Sequence, residues 1–337
     1  MPSADAPRVA LVKLSALGDV VHALPVAAAL RAARPGAYLA WVVERRESAL
    51  LRGHPALDAV IVADTRSWRR ARTADDLRAA LTGLRALRRQ LRRARFDVAL
   101  DLQGLMKSRL ITAACGARRR IGFDASWGSE PLHAVRLTDR VAPPTARHVV
   151  EQYLALLAPL GITPGAPQFH LPVSAGAEAR IDEWLASVGL KPHQRLVVLN
   201  PGAGRADKLW PVGHLTTLAR RLAHDAAAHV VLTWGPGEEG TARVVVAAAP
   251  SAVLAPPTDL DALLALLRRA SVVVAADTGP LHMAAGLGTP CVGLYGPTSP
   301  ARNGPYGAGH RVLWSDDRTM AGLAPEAVLA AVSELLG

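Results

Sequence analysis

Short apolar runs alternate with longer Ala/Leu-rich stretches along most of the 337 residues. In the first half the runs at 8–14 (RVALVKL), 38–43, 58–63, 96–102 and 119–123 predict strands. The stretches at 20–33, 46–53, 75–94, 106–115 and 147–160 predict helices. Buried strands alternating with helices make a parallel sheet covered on both faces. The segment 161–173 (GITPGAPQFHLPV) breaks the rhythm with three prolines and two glycines and reads as a linker. The alternation then restarts with helix 175–188, strand 195–200, helix 211–225, strand 229–234 and helix 238–248. It continues with helix 259–269, strand 271–276, helix 280–287, strand 290–295 and a last helix, 325–336. The expected organisation is α/β, with doubly wound units over 1–172 and 173–324 and a terminal helical piece over 325–337. In the helix 75–94, leucines 77, 81, 84, 87 and 91 recur at helical spacing. They are expected to face the core and leave the arginines in water.

Charge separates the two halves. The net charge is +11, and residues 1–172 hold 26 Lys and Arg against 14 Asp and Glu, whereas residues 173–337 hold 13 against 14. The first half therefore suits an anionic partner: nucleic acid, an anionic membrane surface or a phosphorylated substrate. The only cysteines, Cys115 and Cys291, form neither a disulfide framework nor a CxxC pair. No signal-peptide layout opens the chain, and no window of about 18 uncharged apolar residues occurs. These features lead to the expectation of a cytoplasmic protein.

Sheets of this kind bind ligands outside the carboxyl ends of their strands, so the polar residues at those ends are the candidates for chemistry. After the first strand comes SALGD (15–19), with Gly18 in place of the GxGxxG of a dinucleotide turn. Asp19 there fits a helix cap or a catalytic base, and His22 lies one turn on. DLQGLMKS (101–108) puts Asp101 and Gln103 at another strand end and Lys107 at the start of the following helix. TRSWRRART (65–73) clusters Arg66, Arg69, Arg70 and Arg72 in a connecting loop, where guanidiniums can grip phosphates. In the second half, NPGAGRADKLWP (200–211) is a small-residue loop leading to Lys208, although its spacing is not that of a P-loop. WGPGEE (234–239) offers Glu238 and Glu239 for a sugar hydroxyl. ADTGPLHMAA (276–285) sets Asp277, Thr278 and Gly279 at a helix start with His282 on its first turn, and LYGPTSP (294–300) adds another loop. The DLD at 259–261 and SDD at 315–317 are poor metal ligands, and no metal is expected.

Taken together, VKLSALGDVVHALP, WVVE, RSWRR, DLQGLMKS, GFDASWGSEPL, DKLWP, TWGPGEE, ADTGPLHMAA and LYGPTSP resemble the ADP-heptose:lipopolysaccharide heptosyltransferases, glycosyltransferase family nine. SWGSEPL and the WRR cluster favour its type I over its type II members. The resemblance implies a GT-B fold, two Rossmann-like domains facing across a cleft, with the last helix crossing back onto the first. It also implies inverting transfer of L-glycero-D-manno-heptose from ADP-heptose to the Kdo of Kdo2-lipid A, without a metal, by an enzyme peripheral to the cytoplasmic face of the inner membrane.

In that reading Asp19 is the general base, and Lys208 and Asp277 serve the diphosphate. Ala203, Gly204, Glu239 (or Glu238), Thr278, Gly279 and His282 are donor-side residues. With Ala203 and Gly204 where relatives carry threonines, phosphate contacts there fall to backbone N–H groups. The basic first half, through Arg66, Arg69, Arg70, Gln103 and Lys107, is expected to meet the acceptor. Alternative readings are a type II or III heptosyltransferase, or a basic nucleic-acid-binding protein. Against the latter, no single-strand stacking platform, helix-turn-helix or zinc-finger pattern is present.

Overall fold

A computed structural model describes residues 6–127, 136–145 and 147–337. The Gly128–Leu132 part of the SWGSEPL motif lies outside the described residues. The chain divides into two compact units, Met1–Pro172 and Val173–Gly337.

The first unit runs β1 (Arg8–Val12), α1 (Leu17–Ala33), β2 (Tyr38–Val43), β3 (Ala59–Val62), α2 (Thr65–Arg70), α3 (Ala74–Arg93) and β4 (Val98–Asp101). It continues α4 (Met106–Ala114), β5 (Arg119–Phe123), β6 (Asp139–Val141) and α5 (Val149–Ala155). Its sheet is parallel in the order β3-β2-β1-β4-β5-β6.

The second unit runs α6 (Ala175–Ser187), β7 (Leu196–Asn200), α7 (Val212–Asp225), β8 (His229–Leu232), α8 (Glu239–Ala248) and β9 (Ala252–Leu254). There follow α9 (Leu260–Arg269), β10 (Val272–Ala276), α10 (Gly279–Gly286), β11 (Cys291–Tyr295), α11 (Pro300–Asn303), β12 (Arg311–Trp314) and α12 (Pro325–Leu336). Its sheet, β12-β11-β10-β7-β8-β9, repeats the topology of the first. In both, the strand order reverses beside the unit's first strand, between β1 and β4 and between β7 and β10. That reversal opens a crevice at the carboxyl edge.

The central strands are buried on both faces, as their continuous Val/Ala/Leu runs require. Val9–Val12, Leu39–Val43, Val197–Leu199 and Val272–Ala275 are all at most 3% exposed. β6, β9 and β12, which the sequence pattern did not mark, are sheet edges of three or four residues. Pairing on one side and partial cover leave no long apolar run to read.

Three other expectations are corrected. The arginine cluster at 65–70 is a helix rather than a loop, with Trp68 packed against Gly83 of α3. Of the α3 leucines only Leu87 and Leu91 are buried, whereas Leu77, Leu81 and Leu84 are 50–53% exposed, because the helix touches the unit through Gly83, Leu87 and Leu91. The terminal helix is not a separate piece but belongs to the second unit. Val328, Leu329, Ala331, Val332 and Leu336 of α12 fill the second unit's own core, against α7, β10 and β11.

Candidate active site

At the β1/β4 crevice of the first unit, Asp19 stands in the first turn of α1. Its Oδ2 accepts a hydrogen bond from the Ala16 N–H at 3.1 Å, the backbone half of a capping box. Its side chain is 44% exposed, and its Oδ1 lies 4.0 Å from Lys13 Nζ. Lys13, at the end of β1, is buried. It donates to the Tyr153 hydroxyl at 2.7 Å and to the Leu102 carbonyl at 3.3 Å. Burial alone would push the Lys13 ammonium down, but Asp19, Tyr153 and Asp101 outweigh it and hold its pKa above the ordinary value. An apolar run hides this lysine in the sequence; its signal is a cation closing a strand that is otherwise uncharged after Arg8.

Asp101 ends β4 fully buried. Its Oδ1 accepts from the Gln103 and Gly104 amides, each at 3.0 Å, and its Oδ2 from Ser108 Oγ at 3.0 Å. Desolvation raises its pKa in spite of these bonds. Gly104 is needed at this turn: its φ is +68°, and a Cβ would fall 2.4 Å from Trp127. Trp127 stacks on Phe123 at 3.9 Å and leans on Tyr153, so the GFDASW segment steadies the hydroxyl that holds Lys13. Gln103 serves the turn itself, its Oε1 accepting from the Leu14 and Ser15 amides at 3.0 and 3.1 Å. His22 is buried edge-on to His148, an interior position between α1 and α5.

The same crevice edge gathers cations. Lys107 Nζ is 3.2 Å from Ser15 Oγ. Half-burial lowers its pKa, with Arg66 and Arg69 adding to the effect and Glu44 and Glu47 opposing it. Arg66 is held by Glu47 at 2.8 Å, and the buried Glu44 accepts from Thr65 Oγ1. Arg69 and Arg70 are exposed on α2.

In the second unit the β7/β10 crevice holds a tighter cluster. Asp277 follows β10. Its Oδ2 takes Lys208 Nζ at 2.6 Å, and its Oδ1 takes Asn303 Nδ2 at 3.0 Å and lies 3.2 Å from His282 Nε2. Burial opposes the charged form, but His282 and Lys208 hold the carboxyl down at about 2. Lys208 closes a helical turn at 206–208 after β7, and the buried Trp210 anchors that loop through Nε1 to the Leu323 carbonyl at 3.0 Å. Thr278 caps α10 in extended conformation, so the first-turn amides of Gly279 and Leu281 point out of the helix start, whereas the His282 N–H already donates to the Thr278 carbonyl. Pro280 has none to offer. Beyond Gly204 the space at a Cβ position is open, and Ala203 beside it is half-buried.

The two glutamates separate cleanly. Glu239, the acid placed on the donor side, binds Arg243 one turn along α8 at 2.6 Å on the helix surface. It is Glu238 whose carboxylate turns back, accepting from the Gly235 amide at 2.8 Å and lying over Gly202, where an added Cβ would be 2.0 Å away. Asn303 is a further residue of this cluster that the motifs left out, and Gly202 lies within NPGAGRADKLWP without having been singled out. The signal for Asn303 is the Ser299-Pro300 helix start after β11, which neighbours β10 and ends at the same edge.

Asp277 carries a pH signature. Its pKa is lowered in the folded chain, so its contribution to stability is complete above the unfolded carboxyl value near 4 and is lost as pH falls toward 2. That is roughly 2 kcal/mol. Denaturant unfolding measured between pH 5 and 2.5 is expected to show less pH dependence for Asp277→Asn than for the parent. Equal slopes would mean that Asp277 is not held in its charged form. Among the described residues, no three His, Cys, Asp or Glu side chains converge as a metal cluster.

The model for glycosyltransferase family 9 (heptosyltransferase) matches residues 84–329. Lipopolysaccharide heptosyltransferase 1 of Escherichia coli K12 is 30% identical over 330 residues, 97% of this chain and all of that one. The protein of the same name from Pseudomonas aeruginosa is 34% identical over 313 residues, covering 92% and 84% of the two chains. Among solved structures, E. coli heptosyltransferase WaaC with ADP superposes with a TM-score of 0.82 at 29% identity, covering 97% of this chain and 99% of the other. The WaaC structure with ADP-2-deoxy-2-fluoro heptose gives 0.80, with the same coverage. Two parallel sheets of one topology, a polar cluster at each reversal point and a family match across most of the chain lead to one assignment: this chain belongs to glycosyltransferase family 9, and is a glycosyltransferase of the GT-B fold.

Proposed function

We propose that the chain transfers L-glycero-D-manno-heptose from ADP-heptose to the Kdo of Kdo2-lipid A, with inversion, at the cytoplasmic face of the inner membrane. The observation that carries this is the Lys208–Asp277–His282–Asn303 cluster beside the start of α10, which suits a diphosphate leaving group. It is supported by the ADP and ADP-heptose analogue in the WaaC structures and by the heptosyltransferase 1 relatives.

In this reading the second unit takes the donor. Lys208 and the first-turn amides of α10 meet the diphosphate, with backbone N–H groups near Ala203 and Gly204 available to it. Asp277 is itself an anion and acts through others, aiming Lys208, with His282 and Asn303 fixing its carboxylate. Glu238 replaces Glu239 as the acid facing the donor.

The first unit takes the acceptor. Asp19 removes the proton from a Kdo hydroxyl while that oxygen bonds to the anomeric carbon. The bond from that carbon to the diphosphate oxygen breaks on the opposite face, and ADP leaves with its electron pair. Such a leaving group needs positive charge where negative charge develops, the role given to Lys208 and the helix start. Lys13 keeps the Asp19 region cationic without competing for the proton. Lys107, Arg69 and Arg70 meet the acceptor's phosphate and carboxylate groups. Arg66, bound to Glu47, shapes this surface, and Gln103 holds the turn that carries Asp19.

The decisive experiment is ADP release from ADP-heptose with and without a Kdo2-lipid A analogue. Release should depend on that acceptor and persist in excess EDTA. Release with a heptosylated acceptor alone would move the assignment to a type II enzyme. A steep loss in EDTA restored by Mg²⁺ would overturn the metal-free mechanism.

A further inference from the structure

Three leucines of α3 stay half-exposed in the folded chain. Leu77, Leu81 and Leu84 sit at i, i+4 and i+7 on one stripe and are 53%, 50% and 50% exposed. The helix is held to its unit farther along the same apolar face, by Leu87 and Leu91, and by Gly83 at its side. Arg88 continues the leucine stripe one turn beyond Leu84. Arg78 and Arg85, seven residues apart, form the row beside it, and Arg89 follows; all four are exposed. The acids of this helix are confined to its first turn. Asp76 is locked into the capping box with Thr73, and Asp75 pairs with Arg78 at 3.2 Å.

We propose that this face of α3 lies on an anionic lipid bilayer, with the three leucines entering the acyl boundary and Arg78, Arg85, Arg88 and Arg89 at the headgroup phosphates. An interfacial helix combines an apolar stripe with a rim of arginines, since burying leucine and neutralising lipid phosphate are additive attractions. The charge selects this occupant. A second copy would bring the same arginine rim against itself, and a nucleic acid would pair with the arginines but leave the leucines in water. The net positive charge of residues 1–172 extends the attraction beyond the helix. The inference deepens the membrane-surface part of the proposed function and requires only a bilayer of negative charge. Donor binding in the second unit can therefore fail or succeed independently of it.

The test is flotation of the full chain with vesicles of phosphatidylethanolamine and phosphatidylglycerol, and with vesicles of phosphatidylcholine alone. The parent should partition onto the anionic vesicles and be weakened by salt. The triple variant Leu77→Ser, Leu81→Ser, Leu84→Ser should lose about tenfold or more of that partitioning. ADP binding and far-ultraviolet circular dichroism should stay unchanged. Arg85→Glu, Arg88→Glu, Arg89→Glu, made separately, should lose it as well, so that a folding defect in one variant leaves the other to decide. Equal partitioning of the leucine variant and the parent would overturn the proposal, as would absence of binding to anionic vesicles. So would a fall in sedimenting mass of the leucine variant without loss of vesicle binding, which would make the face a contact between copies.

Discussion

Asp19→Asn is expected to lower kcat by about 10²–10⁴-fold while leaving ADP affinity within a factor of about two. The isosteric amide separates the two roles open to this residue. The asparagine side-chain oxygen can still accept the Ala16 N–H, so the start of α1 keeps its cap. A cap-only residue would therefore cost on the order of 1 kcal/mol of stability or less, and little rate. A base loses the means to take a proton. The Lys13 ammonium loses an ion pair that is 4.0 Å long and partly exposed on the Asp19 side, a small change beside its bonds to Tyr153 and Leu102. Steady-state ADP release and calorimetric ADP binding decide the matter. A variant retaining a tenth or more of the parental kcat would make Asp19 a structural acid.

Lys208→Met should reduce kcat/KM by about 10²–10³-fold, with loss in both ADP affinity and kcat, because its charge is met before and during departure of the diphosphate. The substitution has a second effect. The Asp277 side chain is 6% exposed, and without the lysine it keeps only His282 and Asn303 as partners, so its pKa rises and any remaining charge repels the ligand. Adding Asp277→Asn to Lys208→Met removes that uncompensated anion. The double variant should thus be more stable than the single one and bind ADP no worse. Parental ADP affinity in Lys208→Met, measured by titration calorimetry, would remove the lysine from the donor site. A double variant less stable than the single would show that Asp277 is held by something other than its charge pairing.

The alternation of buried strands and helices was legible because a strand covered on both faces must be apolar throughout, as in Val9–Val12 and Val272–Ala276. Asp101 and Asp277 stood out for the same reason, since each ends or directly follows such a run, whereas Asp19 lies in the first turn of the helix after β1 and Lys208 in the connection after β7. Edge strands such as β12, with Arg311, Val312 and Trp314 exposed, carried no comparable contrast. Leu77, Leu81 and Leu84 share the helical period of Leu87 and Leu91, and periodicity records only that a helix is amphipathic, not which part of its apolar face finds a partner.

The sequence by itself therefore determined the two doubly wound units, the turns that hold polar groups and the concentration of positive charge in the first 172 residues. These follow from local pattern, composition and chain order. Tertiary structure decided which of those polar groups meet. Asp277 gathers Lys208 from 69 residues upstream and Asn303 from 26 downstream, because β7, β10 and β11 lie side by side. It also separated Glu238 from Glu239. One turns back over Gly202, where no Cβ stands in the way, while the other is taken by Arg243 on the helix surface. Adjacent residues of one type are equivalent in a string; the rotation of a helix start and the space above a glycine make them different in the folded chain.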